Sequence, residues 1–201
     1  MAQNARKAAG ELRCKVENMK RIAFVLVAFA AVVGLAVLKA PASGQADGEA
    51  APIYGVKVPP GYRDWKLIAV SEIAAGDKSQ LRAEFGNDIA ITAFQEGKLP
   101  FPDGAIIVAQ HWMKESSPEN DKVLSLVPMV AGLDSPKSFI PGSLINAQFM
   151  VKDSKKYAAS GGWGFADFKD GKPGNEALHK TCFPCHEPAK AHDYVYTHYA
   201  P

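Results

Sequence analysis

The sequence predicts a mainly β, α+β domain: an antiparallel sheet with a few short helices, the C-terminal one of which carries a cysteine–histidine motif. Several short apolar segments of strand length are separated by turn residues. The 14 prolines and 17 glycines are spread along the 201 residues, which argues against a helical bundle. A hydrophobic content of 47% suffices for a packed core, and a net charge of +2 gives no indication of nucleic-acid binding.

Residues 1–46 have the pattern of an N-terminal extension followed by an export signal. Met19-Lys20-Arg21 is basic, Ile22 to Leu38 is uninterrupted and apolar, and small residues up to Ala46 suit cleavage. The apolar run has 17 residues, the lower limit for a bilayer span, so an uncleaved anchor through 22–38 is the alternative. Either way we expect export to the periplasm, with a linker over 47–53 and an exported domain over 54–201.

The first half of the domain is predicted to contain three strands and a helix. Strands are expected at Trp65–Ile73 and Leu81–Phe85. Asn87 or Asp88 can cap a short helix that ends near Gly97. A tight turn at Pro102-Asp103-Gly104 then leads into the clearest strand of the sequence, Ala105–Lys114.

The second half is predicted to contain three more strands and the motif-bearing helix. The expected strands are Val123–Val130, Ser143–Val151 and the aromatic-rich Gly161–Phe168. Asn175 can cap a helix through Glu176–Thr181 that carries the motif.

The motif itself is Cys182-Phe183-Pro184-Cys185-His186, which has the C-x-x-C-H spacing of c-type haem attachment. Two thiols at this spacing reach the two vinyl groups of one haem, and the following histidine offers an axial nitrogen to the iron. A zinc site would need a second Cys or His pair, and a thioredoxin-like pair would follow a strand in a βαβ unit. The remaining cysteine, Cys14, leaves no pair for a structural disulfide. Export supports the haem interpretation, so we expect residues 54–201 to form a c-type haem domain that holds one haem c, with His186 as iron ligand.

The other side of the haem is predicted to be built from the preceding strands. No methionine follows the motif, so a downstream sixth ligand would be His192 or His198. An open sixth position, suited to a small ligand, is the alternative to a firmly ligated electron carrier.

Several stretches, taken in order, resemble the cytochrome P-460 family of β-sheet c-type cytochromes and its cytochrome c-prime-beta relatives. The resemblance covers roughly residues 54–201. The stretches that carry it are Pro60-Gly61-Tyr62-Arg63-Asp64-Trp65, Pro102-Asp103-Gly104, Val151-Lys152-Asp153-Ser154-Lys155-Lys156-Tyr157, Gly162-Trp163-Gly164-Phe165, the C-x-x-C-H motif and Val195-Tyr196-Thr197-His198-Tyr199.

The resemblance implies one haem with a proximal histidine and a vacant distal site, often in a homodimer. Some members oxidise hydroxylamine, with or without nitric oxide, and carry a lysine joined covalently to the haem. Ala109 lines up with that lysine and cannot form the bond. Arg82 lines up with a distal-pocket arginine, and Gln148 stands where cross-linked members can carry a carboxylate, although glutamine is a poor general base.

Strand alternation places residues 105, 107, 109, 111 and 113 on one face, so His111 shares the face of Ala109 and is a distal-pocket or structural residue. Lys114 points away unless a bulge intervenes. The other lysines and histidines considered are expected to be solvated: Lys98, Lys152, Lys155, Lys156, His179 and His192.

Three functions follow as hypotheses. The first is a haem protein that binds a small diatomic or nitrogenous ligand such as nitric oxide, as Ala109 favours. The second is an oxidoreductase acting on hydroxylamine, as the family favours. The third is a periplasmic electron carrier with a redox partner protein, which needs a firm sixth ligand from His111, His198 or a methionine.

Overall fold

The computed structural model describes residues 48–126 and 136–200. Within these ranges one antiparallel sheet has six strands, each paired with the next strand in sequence. The strands are β1 (Lys66–Ile73), β2 (Gln80–Gly86), β3 (Ile106–Ser116), β4 (Phe139–Lys152), β5 (Trp163–Lys169) and β6 (Lys172–Pro173). The helices are α1 (Asp88–Glu96), α2 (Pro118–Leu124), α3 (Glu176–His179) and α4 (Cys182–His186), with 3-10 helices at Tyr62–Asp64, Ala158–Ser160 and Glu187–His192. The predicted fold class is confirmed.

Helix α1 begins and ends at the predicted signals. The Asn87 side-chain oxygen accepts a hydrogen bond from the Ala90 N–H at 3.0 Å. Gly97 adopts a left-handed φ of 61°, and its N–H reaches the carbonyls of the last turn. Such a conformation favours glycine because a side chain would strain it.

The predicted strand at Val123–Val130 is wrong where it is described, because Val123 and Leu124 belong to helix α2. Pro118 occupies the first turn, where its missing N–H costs nothing, and acidic residues complement the N-terminal dipole. The apolar spacing that suggested the strand gave no indication that a helix begins at Pro118. Residues 127–130 lie outside the described ranges.

The predicted export signal and anchor also lie outside the described residues, which begin after residue 47. Over residues 48–126 and 136–200, no helix combines the length and apolar character that a membrane crossing requires. Ala51, in the predicted linker, is buried against the domain.

Apolar side chains pack on both faces of the sheet. One cluster lies beside α1 and the C-terminal helices, and its buried members include Ile68, Ala90, Ile91, Ile107, Met150, Trp163, Phe165 and Val195. The other lies beneath the N-terminal segment and includes Ala51, Val56, Val108, Phe149, Tyr157 and Phe168. Strand alternation separates the two, since neighbouring residues such as Ile107 and Val108 enter opposite clusters.

Candidate functional site

The motif lies on a short helix of its own. The Asn175 side chain caps α3 by accepting from the Leu178 N–H at 2.9 Å, and the chain then turns into α4. Cys182 and Cys185 are three residues apart on α4, so their thiols lie on the same side of the helix. A 3-10 helix, Glu187–His192, continues directly from His186.

A crevice of about 160 Å³ separates α4 from strands β4 and β5. Its lining combines apolar side chains with a few polar ones: Gln148, Phe149, Met150, Phe165, Ala166, Asp167, Leu178, Thr181, Cys182, Cys185 and His186. Both motif cysteines and the motif histidine therefore border the same space. An apolar cleft with a small number of polar groups is the usual form of a cofactor site.

His186 is held in one orientation. Its Nδ1 donates a hydrogen bond to the Tyr194 carbonyl at 2.8 Å, and its ring centroid lies 4.9 Å from that of Phe165. Burial lowers the pKa of His186, and the bond to Tyr194 acts in the opposite direction. With Nδ1 protonated and bonded, Nε2 presents its lone pair to a metal.

Neither motif cysteine forms a disulfide, and Cys182 is half-buried. Burial, with the nearby Asp167 charge, raises the pKa of Cys182 to about 11. Such a thiol is protonated at neutral pH, unlike the low-pKa thiolate of a redox-active pair. Over the described residues, no cluster of three or more His, Cys, Asp or Glu could hold a metal ion. Two thiols on one side of a helix and a histidine with an open Nε2 fit a haem better than a zinc ion.

The sheet brings the four predicted distal residues to one face. Arg82 on β2 pairs with His111 on β3, and Ala109 on β3 pairs with Gln148 on β4. Met150, two residues from Gln148, lies on the same face. Gln148 lines the crevice directly, whereas Ala109 lies beside it on the neighbouring strand.

This face also carries two buried carboxylates, Asp167 and Glu84, that the sequence alone did not indicate as site residues. Asp167 accepts hydrogen bonds from the Gln148 amide at 3.0 Å and from Asn146. Glu84 lies 3.0 Å from the Arg82 guanidinium. Burial raises the pKa of Glu84 although Arg82 acts against it. Alternation from Arg82 would have assigned Glu84 to this face, but only strand register shows its pairing with Ala109.

His111 is buried, and its Nδ1 donates to the Gln80 side-chain oxygen at 3.2 Å. Its Nε2 has no hydrogen-bond partner among the described residues. Burial, and then the positive charge of Arg82, lowers the pKa of His111. The ring is therefore neutral near pH 7.

No lysine lines the crevice among the described residues. Bulges interrupt the β3–β4 pairing between His111 and Lys114, but Lys114 is held by an ion pair with Glu72 and lies 3.9 Å from the Phe139 ring centroid. Lys98 is exposed, as predicted.

Two predictions of solvated side chains are wrong. Lys152 is 5% exposed because it pairs with Asp193 inside the protein, whereas Lys155 and Lys156 are exposed. His179 is 0% exposed because its two nitrogens bond the backbone: Nε2 accepts from Asp167 N at 3.1 Å, and Nδ1 donates to the Asn175 carbonyl at 2.8 Å. His192 and His198 are exposed.

Comparison with known proteins agrees with this geometry. No curated protein matches the chain. The family profile described as Cytochrome P460 matches residues 59–197, well over half of the chain, and that family implies a haem cofactor. The match includes the sheet, the crevice and the C-x-x-C-H motif, and the chain accordingly belongs to the cytochrome P460 family.

Proposed function

We propose that this chain is an exported c-type cytochrome that binds a small diatomic ligand such as nitric oxide. Cys182 and Cys185 hold one haem c covalently, and His186 is its proximal ligand. When bound, the haem supplies an iron that takes up a small ligand and changes oxidation state. The observation that carries the proposal is Ala109, which lines up with the lysine of cross-linked family members. Ala109 pairs with the crevice residue Gln148.

An open distal position is supported by the placement of the other candidate ligands. His111 lies on the same face, but it is not among the residues that line the crevice. His198 is exposed on the C-terminal tail. Met150 lines the crevice, yet it is also buried among the apolar side chains of its cluster. Methionine in such a place is ordinary core packing.

Hydroxylamine oxidation is the second candidate, and Asp167 is the observation that favours it. Gln148 cannot accept a proton as a carboxylate does, but Asp167 lines the same crevice and lies 3.0 Å from the Gln148 amide. A carboxylate there could serve as the base that the reaction needs.

Electron transfer to a redox partner protein would instead require a firm sixth ligand, for which Met150 is the best placed.

The test is a comparison of the wild-type holoprotein with Ala109→Lys and the matched control Ala83→Lys. Ala83 lies on β2, on the face opposite Glu84, so its lysine points away from the crevice. We expect wild type and the control to bind nitric oxide in the reduced state and to yield haem peptides joined only through the two cysteines. We expect Ala109→Lys alone to change the haem spectrum.

Hydroxylamine turnover by the wild type, or a lysine attached to its haem peptide, would overturn the proposal in favour of the enzyme. A low-spin spectrum indifferent to nitric oxide, which Met150→Leu converts to a responsive one, would favour the electron carrier.

A periplasmic location is part of the proposal and rests on the leader sequence. Cell fractionation with N-terminal peptide mapping tests it: a mature chain beginning after about Gly44 or Ala46 indicates cleavage, and retention of 22–38 in the membrane fraction indicates an anchor. A homodimer, as the family implies, would be seen by sedimentation of the holoprotein.

A further inference from the structure

A buried ion pair joins the sheet to the segment that follows the motif. Lys152 is the last residue of β4, and its Nζ lies 2.7 Å and 2.8 Å from the two carboxylate oxygens of Asp193. Their side chains are 5% and 8% exposed. Desolvation offsets much of the attraction in a buried pair, so stability alone does not account for it.

Asp193 is fixed by further contacts from other parts of the domain. Its carboxylate accepts a hydrogen bond from the Phe101 N–H at 2.8 Å, and its backbone carbonyl accepts from the Trp163 indole at 2.8 Å. Lys152 in turn donates to the Gly161 carbonyl at 3.2 Å and lies 4.9 Å from the Trp163 ring centroid. The acceptor atoms of Asp193 are thus all engaged.

These contacts hold an unfavourable backbone conformation. Asp193 and Tyr194 have φ values of 52° and 65°, in the left-handed region that residues with side chains seldom adopt. The Tyr194 carbonyl is the acceptor for His186 Nδ1, at 2.8 Å. Such a conformation persists only where the surroundings fix it, and here Lys152 and Asp193 do so.

We propose that Lys152 and Asp193 are positioning residues for His186. By fixing the left-handed turn, they hold the Tyr194 carbonyl against Nδ1 and so set the orientation, tautomer and donor strength of Nε2 towards the haem iron. The proposal rests on His186 as the proximal ligand and is independent of what binds on the distal side. A hydrogen bond at the second nitrogen makes a ligating imidazole more basic. Loosening it should weaken the iron–histidine bond and disfavour the ferric state.

The test is the iron–histidine stretching band of the reduced holoprotein, read by resonance Raman, together with the reduction potential. We expect Lys152→Met and Asp193→Ala to shift the band to lower frequency and the potential to more positive values. Asp193→Asn keeps an acceptor for the Phe101 N–H and tolerates the left-handed conformation, so its shift should be smaller.

Val56→Ala is the matched control, because Val56 is buried in the cluster on the opposite face and its truncation destabilises the fold without touching the turn. It should leave the band unmoved. An unmoved band in Lys152→Met and both Asp193 variants would overturn the inference while leaving His186 as the ligand. The band requires an open sixth position, so its absence in wild type would count against the open distal site. The reduction potentials of the same variants would then decide the inference, and potentials equal to that of wild type would overturn it. If Asp193→Ala does not fold, Lys152→Met and Asp193→Asn decide the matter.

Discussion

The ion pair between Arg82 and Glu84 gives the sharpest test of the electrostatics on the sheet face that carries Ala109 and Gln148. The guanidinium and carboxylate are 3.0 Å apart, with side chains 29% and 5% exposed. Arg82→Met keeps much of the side-chain stem but leaves the Glu84 carboxylate buried without its counter-charge. Removing one partner of a fully buried pair costs about 3–5 kcal/mol. Because Arg82 is partly exposed and water screens it, we expect about 2–3 kcal/mol of lost unfolding free energy.

The partner variant should behave differently. The pKa of Glu84 is raised because burial outweighs the attraction of Arg82, so its charge costs stability at neutral pH. We therefore expect Glu84→Gln to change the unfolding free energy by less than about 1 kcal/mol, and Glu84→Gln to suppress most of the Arg82→Met penalty in a double-mutant cycle.

The loss of unfolding free energy in Arg82→Met should depend on pH in a definite direction. A carboxyl group whose folded pKa lies above its unfolded value contributes stability at low pH, and this contribution is lost as the pH rises through the folded pKa. The Arg82→Met penalty should accordingly shrink as the pH falls and Glu84 becomes protonated. Denaturant unfolding of the holoproteins at several pH values measures this. A Glu84→Gln variant as unstable as Arg82→Met, or a penalty that grows in acid, would refute the reasoning.

Three further predictions follow from other contacts. The folded protein has a lowered pKa at His111, so the neutral ring contributes unfolding free energy that is fully present above the ordinary pKa of about 6.5 and is lost as the pH falls through the folded value. His111→Gln should therefore flatten the acid side of the plot of unfolding free energy against pH. Parallel plots for the variant and wild type would contradict this. Cys185→Ser should leave haem joined through one thioether, seen as a red shift of the pyridine haemochrome band because one vinyl group stays unreacted; a band at the wild-type position would remove Cys185 from the site. Gly161→Ala should cost about 1–3 kcal/mol of unfolding free energy, because φ is +69° and a Cβ would overlap the Tyr194 ring; wild-type thermal stability would count against that packing.

Strand alternation predicted much of the site. It placed His111 on the face of Ala109, and the sheet register brings Arg82 and Gln148 to that face as well. The Asn87 cap and the Gly97 stop of α1 are local signals, since each depends on backbone groups within one turn of the helix.

The side chains whose positions were not predicted have partners that are distant in sequence. Lys152 stands in a basic run, and its neighbours in sequence are typical of a solvated turn. It is buried because it forms an ion pair with Asp193, which is 41 residues away in sequence. His179 is buried for a similar reason, since its partner Asp167 lies on another element. Asp167 faces the crevice only because of the register between β4 and β5, which no local pattern fixes.

The most direct test of the central claim is the optical spectrum of the reduced wild-type holoprotein before and after nitric oxide is added. We expect an ordinary c-type spectrum that changes on adding nitric oxide, because the proposed function has no lysine bond to the haem and an open distal side. A strongly red-shifted Soret band before any addition would reveal a cross-linked haem. A spectrum unchanged by nitric oxide would reveal a firmly bound sixth ligand. Either result would contradict the proposed function.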